Sequence, residues 1–292
     1  MRTLGLIIIS GRPRHWIKNL IVFAALAFSQ NLFNRPLFLQ VAGAFVLFCL
    51  ASAAVYLLND IADREADRFH PEKKDRPIAS GRLAVGSALA AAILCIVLAL
   101  AGGFLLQPIL LWILLGYLLL NLAYSYYLKH VILLDAFAIA GGFVFRVVAG
   151  AEVIQVEISA WIVLCTVLGS LFLAFSKRRH ELSLASNALN HRPALAEYST
   201  YFLDQMIAVV TASTVMAYAL WTMWPTVVTK FHTSRLPWTI PFVCYGIFRY
   251  LYLVHQKNEG GSPTKIFISD RPMLLNIALW MAAVVLILYY QP

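Results

Sequence analysis

The feature that most constrains this chain is a succession of long apolar runs. A helix needs roughly 20 apolar residues in a row to cross the hydrocarbon of a bilayer. Nine stretches of that order can be read, at about 16–33, 37–58, 84–106, 109–127, 131–150, 158–176, 202–224, 237–255 and 272–290. Lipid offers no partner to backbone amides and carbonyls, so such runs satisfy themselves as helices. Together they fill most of the 292 residues and leave no room for a separate soluble domain. The chain is 61% hydrophobic and only 13% charged, about half the charged share of a soluble protein. The expectation is an all-α polytopic membrane protein with nine transmembrane helices, residues 1–292 forming one domain. A cleaved leader is not expected, because the first apolar run, Leu4–Ser10, is short and Arg12-Pro13-Arg14 follows at once.

Charge sets the orientation. With nine spans, the N-terminus shares a side with the connections that carry nearly all the Lys and Arg, while the other side holds Arg35, Lys230 and Arg235. The positive-inside rule then places the N-terminus in the cytoplasm of a bacterial inner membrane. The net charge of +9 is spread along membrane-edge loops. It reads as orientation plus contact with membrane lipids and anionic ligands, not as nucleic-acid binding. Cys49, Cys95, Cys165 and Cys244 all fall in spans with no C-x-x-C spacing, so they read as inert buried thiols.

Two cytoplasmic connections, 59–83 and 177–201, run about 25 residues each, and long connections tend to carry function. The first opens with Asn59-Asp60-x-x-Asp63-x-x-x-Asp67. On one continuous helix these three carboxylates fall within about 60° of one another. Like charges so placed repel, so a cation belongs among them. Carboxylate oxygens suit Mg²⁺, and Asn59 adds a neutral oxygen. The plainer alternative is a solvated acidic face balanced by Arg64, Arg68 and Lys73. Further along, Pro71, Pro77 and Gly81 re-aim the chain. Lys73, Lys74 and Arg76 can then fold back over a phosphate, Arg76 bidentately.

Other candidates are weaker. Lys18 and Asn19 start the first run and read either as phosphate contacts or as a membrane-edge anchor beside Trp16. Asp135 and Arg146 lie three turns apart on one span, about 20° apart around it. An Arg there must be paired or face a polar cavity. Both are expected at the cavity, with a structural ion pair to another helix as the alternative. Lys177, Arg178 and Arg179 read either as phosphate ligands or as a stop-transfer anchor.

The motif N-D-x-x-D-x-x-x-D over Asn59–Asp67, followed by K-x-x-R-P-I-A-S-G over Lys73–Gly81, resembles the UbiA superfamily of intramembrane prenyltransferases. The resemblance covers almost the whole chain. It implies a helical bundle around a lipid-accessible cavity, with Mg²⁺ and diphosphate held by Asn59, Asp60, Asp63 and Asp67. Ordinary members carry a second D-x-x-x-D in the sixth-to-seventh connection. Here that connection begins Ser176-Lys177-Arg178-Arg179-His180-Glu181-Leu182 and has no such motif.

Losing one acidic cluster and gaining three cations resembles the decaprenyl-phosphate phosphoribosyltransferase branch. So do Arg12–Asn19, Tyr124–Asp135 with Arg146, and Ser269-Asp270-Arg271-Pro272. That resemblance implies transfer of 5-phosphoribose from phosphoribosyl diphosphate (PRPP) to a long polyprenyl phosphate, with Mg²⁺, towards arabinose for a cell wall. It implies Asp60, Asp63, Asp67 and Asp135 as catalytic. It also implies substrate contacts from Lys18, Asn19, Asn59, Lys73, Arg76, Tyr127, Lys129, Arg146, Lys177, Arg178, Arg179, Asp270 and Arg271. A homo-oligomer is compatible with the sequence. The rivals are an ordinary prenyltransferase, which the missing second acidic motif disfavours, and a transporter of an anionic solute. A transporter is disfavoured because the acids gather at one membrane face rather than at mid-membrane.

Overall fold

The computed structural model describes residues 2–69, 73–183, 197–257 and 259–290. His70, Pro71 and Glu72 of the first long connection lie outside the described residues, as do residues 184–196 of the second. Within the described residues the regular structure is helical. Seven helices are long and apolar enough to cross a membrane. They are α3 (Arg35–Ala62), α5 (Val85–Leu106), α6 (Pro108–Tyr126), α7 (Leu134–Val153), α8 (Ala160–Ser183), α9 (Thr200–Met223) and α13 (Arg271–Tyr289). Shorter helices are α1 (Arg2–Ser10), α2 (Ala24–Phe28), α4 (Arg64–Phe69), α10 (Pro225–Phe231), α11 (Ile240–Gln256) and α12 (Pro263–Ser269).

The two remaining apolar runs are built from shorter helical pieces than the other seven. The run at 16–33 divides between a 3-10 segment, Pro13–Phe23, and the five-residue α2. The run at 237–255 opens as a 3-10 turn, Leu236–Thr239, before the 17-residue α11. Pro237 stands in the first turn of that 3-10 piece and Pro241 in the first turn of α11, positions where the missing amide donor costs no helical hydrogen bond.

Helix starts follow local chemistry. Asn34 caps α3 by accepting from the Leu37 amide, with Pro36 in the first turn. Ser199 caps α9 through the Phe202 amide at 3.0 Å, and Asp270 caps α13 through the Met273 amide at 2.9 Å. Each such cap satisfies one of the amides a helix start leaves over.

The chain forms two compact units. Unit 1 comprises Met1–Leu26, Asn31–Leu128 and Phe145–Glu157; unit 2 comprises Ala27–Gln30, Lys129–Val144 and Ile158–Pro292. The core of unit 1 gathers Val22, Leu26, Phe48, Leu110, Leu114 and Tyr117. One close approach fixes it: a Cβ on Gly150 would stand 1.9 Å from the Val22 carbonyl oxygen. Only glycine lets the 3-10 segment lie against α7 there. Unit 2 has one cluster around Phe172, Leu203, Ile207, Tyr250 and Met273, and another around Tyr218, Trp221, Phe231, Leu236 and Leu288.

Gly150→Ala is expected to destabilise unit 1 by about 2–3 kcal/mol, because backbone must move to admit the methyl. Gly169→Ala, in α8, meets nothing within 4 Å and is expected to be neutral or to stabilise by up to about 1 kcal/mol. Thermal unfolding in detergent compares the two; equal midpoints would contradict the close approach. A second test concerns Asp270, whose carboxyl is held below its ordinary value first by the hydrogen bond from Arg249. A depressed carboxyl contributes stability above the ordinary carboxylate range and loses it as pH falls through the folded value. Asp270→Asn keeps a capping oxygen but drops the ion pair. It should therefore melt lower than the parent at neutral pH, by about 0.5–1 kcal/mol, and the gap should close in acid. A gap independent of pH would refute the assignment.

Candidate active site

The acidic cluster belongs to unit 1. The helix does not run straight through it: α3 ends at Ala62, Asp63 takes the C-cap conformation at φ −88° and ψ 6°, and α4 begins at Arg64. The break is slight, since the Asp63 amide still donates to the Asn59 carbonyl at 2.9 Å and the Asp67 amide to the Asp63 carbonyl at 2.8 Å. Asp60 and Asp67 therefore remain on one side, both buried, while Asp63 is half-buried at the junction. The continuous three-carboxylate face read from the spacing is replaced by a buried pair with a capping third.

A single guanidinium joins that pair. Arg76 Nη1 lies 3.1 Å from Asp60 Oδ1 and 2.5 Å from Asp67 Oδ2. Arg12 adds a second charge-assisted hydrogen bond to Asp60 Oδ1 and stacks over Tyr56, 4.8 Å from the ring centroid. Lys73 Nζ stands 3.9 Å from Asp67. Asn59 Oδ1 accepts from Ser125 Oγ. The connection that brings Arg76 here is itself held. The Arg76 amide donates to Lys73, the Ser80 amide to Arg76, and Gly81 adopts φ +76°, a left-handed turn that favours glycine. Arg68 ties it down, bonding the Ala79 carbonyl at 3.2 Å and both oxygens of Glu65. Lys73 and Arg76 thus fold back onto the acids of the cluster.

Among the described residues no three Asp, Glu, His or Cys side chains converge as a ready metal cage. The donor set still suits an oxygen-seeking cation. Two buried carboxylates reach one and the same nitrogen, so a point charge at that position can be reached by both. Mg²⁺ is bound in this way, through one or two carboxylates with water and substrate phosphate completing the shell.

A second polar group is buried in unit 1. Arg146 is 7% exposed. Its Nε donates to Asn19 Oδ1 at 2.6 Å, and its Nη2 to Tyr117 OH at 3.0 Å and Ser52 Oγ at 3.4 Å. The guanidinium also lies over the Tyr117 ring at 4.8 Å. Asn19 is fixed in turn by Cys49 and Ser52, and Lys18 sits beside it on the 3-10 segment. Arg146 is therefore satisfied by neutral oxygens and an aromatic face, an arrangement that permits a cation to be buried.

Unit 2 holds most of the other candidates, five of them in ion pairs. Asp135, in the first turn of α7, receives Arg178 Nε at 2.5 Å and Tyr198 OH at 2.9 Å. Burial holds the Tyr198 phenol above its ordinary pKa, and its oxygen accepts the Leu133 amide at 2.8 Å. Arg178 also bonds Glu181 at 2.5 Å, and Lys177 Nζ lies 3.8 Å from the same carboxylate. Arg179 Nε meets Asp204 at 2.5 Å. The three adjacent cations thus sit on the last turns of α8, two of them sharing Glu181 and the third on Asp204. Asp270 bonds Arg249, Arg271 is exposed at the start of α13, Lys129 is half-buried in a 3-10 turn, and Tyr127 is exposed at the end of α6.

Sequence reasoning missed Ser52, Tyr117 and Tyr198, and named Ser125 only within the stretch Tyr124–Asp135. Ser52 and Tyr117 were visible as polar groups inside apolar runs; nothing marked Tyr198. Arg12 stood in a noted stretch, but its left-handed backbone at φ 53° leaves no mark in the sequence.

The UbiA prenyltransferase family model matches residues 19–280. The decaprenyl-phosphate phosphoribosyltransferase of Corynebacterium glutamicum is 34% identical over 290 residues, covering 96% of this chain and 86% of that protein. The enzyme of the same name from Mycobacterium tuberculosis is 34% identical over 286 residues, covering 94% of this chain and 91% of that one. A UbiA homologue from Archaeoglobus fulgidus, solved with GPP and Mg²⁺, shares the fold with a TM-score of 0.72 at 18% identity, covering 97% of this chain and 99% of that one. On the family match, these relatives and the shared fold, the chain belongs to the UbiA prenyltransferase family and is a transferase that crosses its membrane several times.

Proposed function

We infer that this transferase moves 5-phosphoribose from PRPP to a long-chain polyprenyl phosphate of the decaprenyl type and releases diphosphate. The observation that carries this reading is the end-to-end likeness to relatives of that name. The mixed-charge cluster of unit 1 supplies workable chemistry for it. We also place the N-terminus and the cluster at the cytoplasmic face of a bacterial plasma membrane, with nine crossings, because the basic residues favour that side.

The bond that breaks joins ribose C1 to the diphosphate, and the bond that forms joins C1 to a lipid phosphate oxygen. That oxygen is already anionic, so no strong general base is needed. Arg12, Arg76 and Lys73 donate to diphosphate oxygens; the paired acids hold two of these cations in place before the ligand arrives. Mg²⁺, held by Asp60 and Asp67 with Asp63 and Asn59 nearby, would neutralise charge on the leaving diphosphate. Lys18, Asn19 and Arg146 form the second polar group of unit 1 and are assigned to substrate phosphate. In unit 2, Lys129, Lys177, Arg178, Arg179 and Arg271 are assigned to substrate binding on charge, Tyr127 of unit 1 on its exposed hydroxyl, and Asp135 and Asp270 as the acids that hold their cations.

Purified protein with Mg²⁺, PRPP and a polyprenyl phosphate should release diphosphate and form a phosphoribosylated lipid. Turnover of a prenyl diphosphate with an aromatic acceptor, and none of PRPP, would replace this reading with an ordinary prenyl transfer. Asp60→Asn and Asp67→Asn should each lower kcat by about 100-fold or more. Arg76→Lys should cost about 10-fold or more, since an ammonium that keeps the two carboxylates has no second fork of N–H donors to offer the diphosphate as a guanidinium has. Near-normal rates in the aspartate variants would remove the cluster from the mechanism.

A further inference from the structure

One charged element of unit 2 holds no residue assigned to the proposed reaction. The α9 helix carries Asp204, partner of Arg179, in its second turn and ends at Met223. At 1.5 Å per residue, these points stand about 30 Å apart along the helix, the thickness of a bilayer core. The connection beyond Met223 is therefore at the opposite membrane face from the Arg179–Asp204 pair. It is 16 residues long and folded: α10, then a turn through His232 with left-handed φ 50°, then the 3-10 turn Leu236–Thr239.

Its two sides differ. Val227, Phe231 and Leu236 are buried in the cluster with Tyr218, Trp221 and Leu288. Facing out are Trp224, Lys230, Arg235 and Trp238, the last 71% exposed. Trp161 packs edge-on against Trp224, ring centroids 5.1 Å apart. No acidic residue occurs from Gln205 to Asn258. Lys230 and Arg235 are also two of the three basic residues read to this face, which membrane topology otherwise depletes of them. Tryptophan with Lys or Arg at the end of a span is the chemistry of a headgroup layer: the rings seat among ester groups and the cations meet phosphate.

We propose that residues 224–239 form a lipid-headgroup site at this face, selective for anionic phospholipid, in which Lys230 and Arg235 bind the phosphate and Trp224 and Trp238 seat the segment in the interface. It binds bilayer lipid of the membrane itself and is separate from the substrate site.

A photo-crosslinking side chain in place of Ser234, in the full chain, reads the site directly. In vesicles of phosphatidylethanolamine with a minority of phosphatidylglycerol, the adducts are identified by mass spectrometry. Phosphatidylglycerol should be captured about five-fold or more above its mole fraction, since each basic side chain at a headgroup surface favours an anionic lipid. The Lys230→Gln/Arg235→Gln double variant should capture the two lipids near their mole fractions, and Arg35→Gln should leave the enrichment intact. Capture at the mole fraction by the parent, no lipid adduct, or enrichment that survives in the double variant would each overturn the proposal. Lys230 and Arg235 lie outside the proposed reaction site, so the double variant should keep the parent's rate in detergent. If the transferase reading fails, the crosslinking result stands unaffected.

Discussion

The interaction on which most of this structure depends is a guanidinium held by fixed oxygens in or at the edge of a low-dielectric medium. A bare charge there is costly, and a charge met on several sides is not. Arg76 meets Asp60 and Asp67. Arg178 meets Asp135 and Glu181. Arg146 meets Asn19, Ser52 and Tyr117. The Arg178 and Arg146 arrangements join segments far apart in sequence, so they specify packing that lipid-facing leucines and valines cannot, while Arg76 folds its own connection back on the end of α3. Apolar side chains decide that the chain enters the bilayer. The arginines decide which helices lie against which.

This division explains how the acid cluster is made ready for an anionic ligand. Without cations, Asp60 and Asp67 would repel each other and any diphosphate. With Arg12 and Arg76 interposed, the same acids become supports that aim positive charge, and the opposing signs keep the group folded before substrate binds. The asymmetry of removal follows. Deleting one member leaves a buried partner uncompensated, which costs more than the pair contributes.

Much of this was legible in the sequence, and the failures have physical causes. Apolar length and charge asymmetry reveal helices and membrane entry because both are local properties. The spacing Asp60, Asp63, Asp67 located the cluster, since every third or fourth residue shares a helix face. It could not reveal the break at Asp63, which depends on how α4 meets the following connection. The division of the runs at 16–33 and 237–255 into shorter helical pieces could not be read, because hydropathy registers how apolar a run is and not how far it rises. Pro13, Pro237 and Pro241 were the available warnings. Partner choice was illegible: Asp135 and Arg146 share a helix edge, yet one meets Arg178 and the other Asn19, because the neighbouring helices differ along its length.

The 3-10 segment Pro13–Phe23 has a consequence for register. Eleven residues is long for this conformation, which has three residues per turn and a rise of about 2 Å per residue. Side chains three apart then stack in a straight row, where an α-helix would wind them steadily around its surface. Trp16, Asn19 and Val22 are spaced as such a row: Trp16 bonds the Gly11 carbonyl, Asn19 meets Arg146, and Val22 is buried in the unit 1 core, its backbone carbonyl against Gly150. One straight edge thus connects the backbone beside Arg12, at the acid cluster, to the deepest part of the unit 1 core. Rewound as α-helix, the segment would be about 5 Å shorter and the row would twist apart. The segment acts as a ruler whose graduation is three residues, and the spacing of the two polar groups of unit 1 is measured on it.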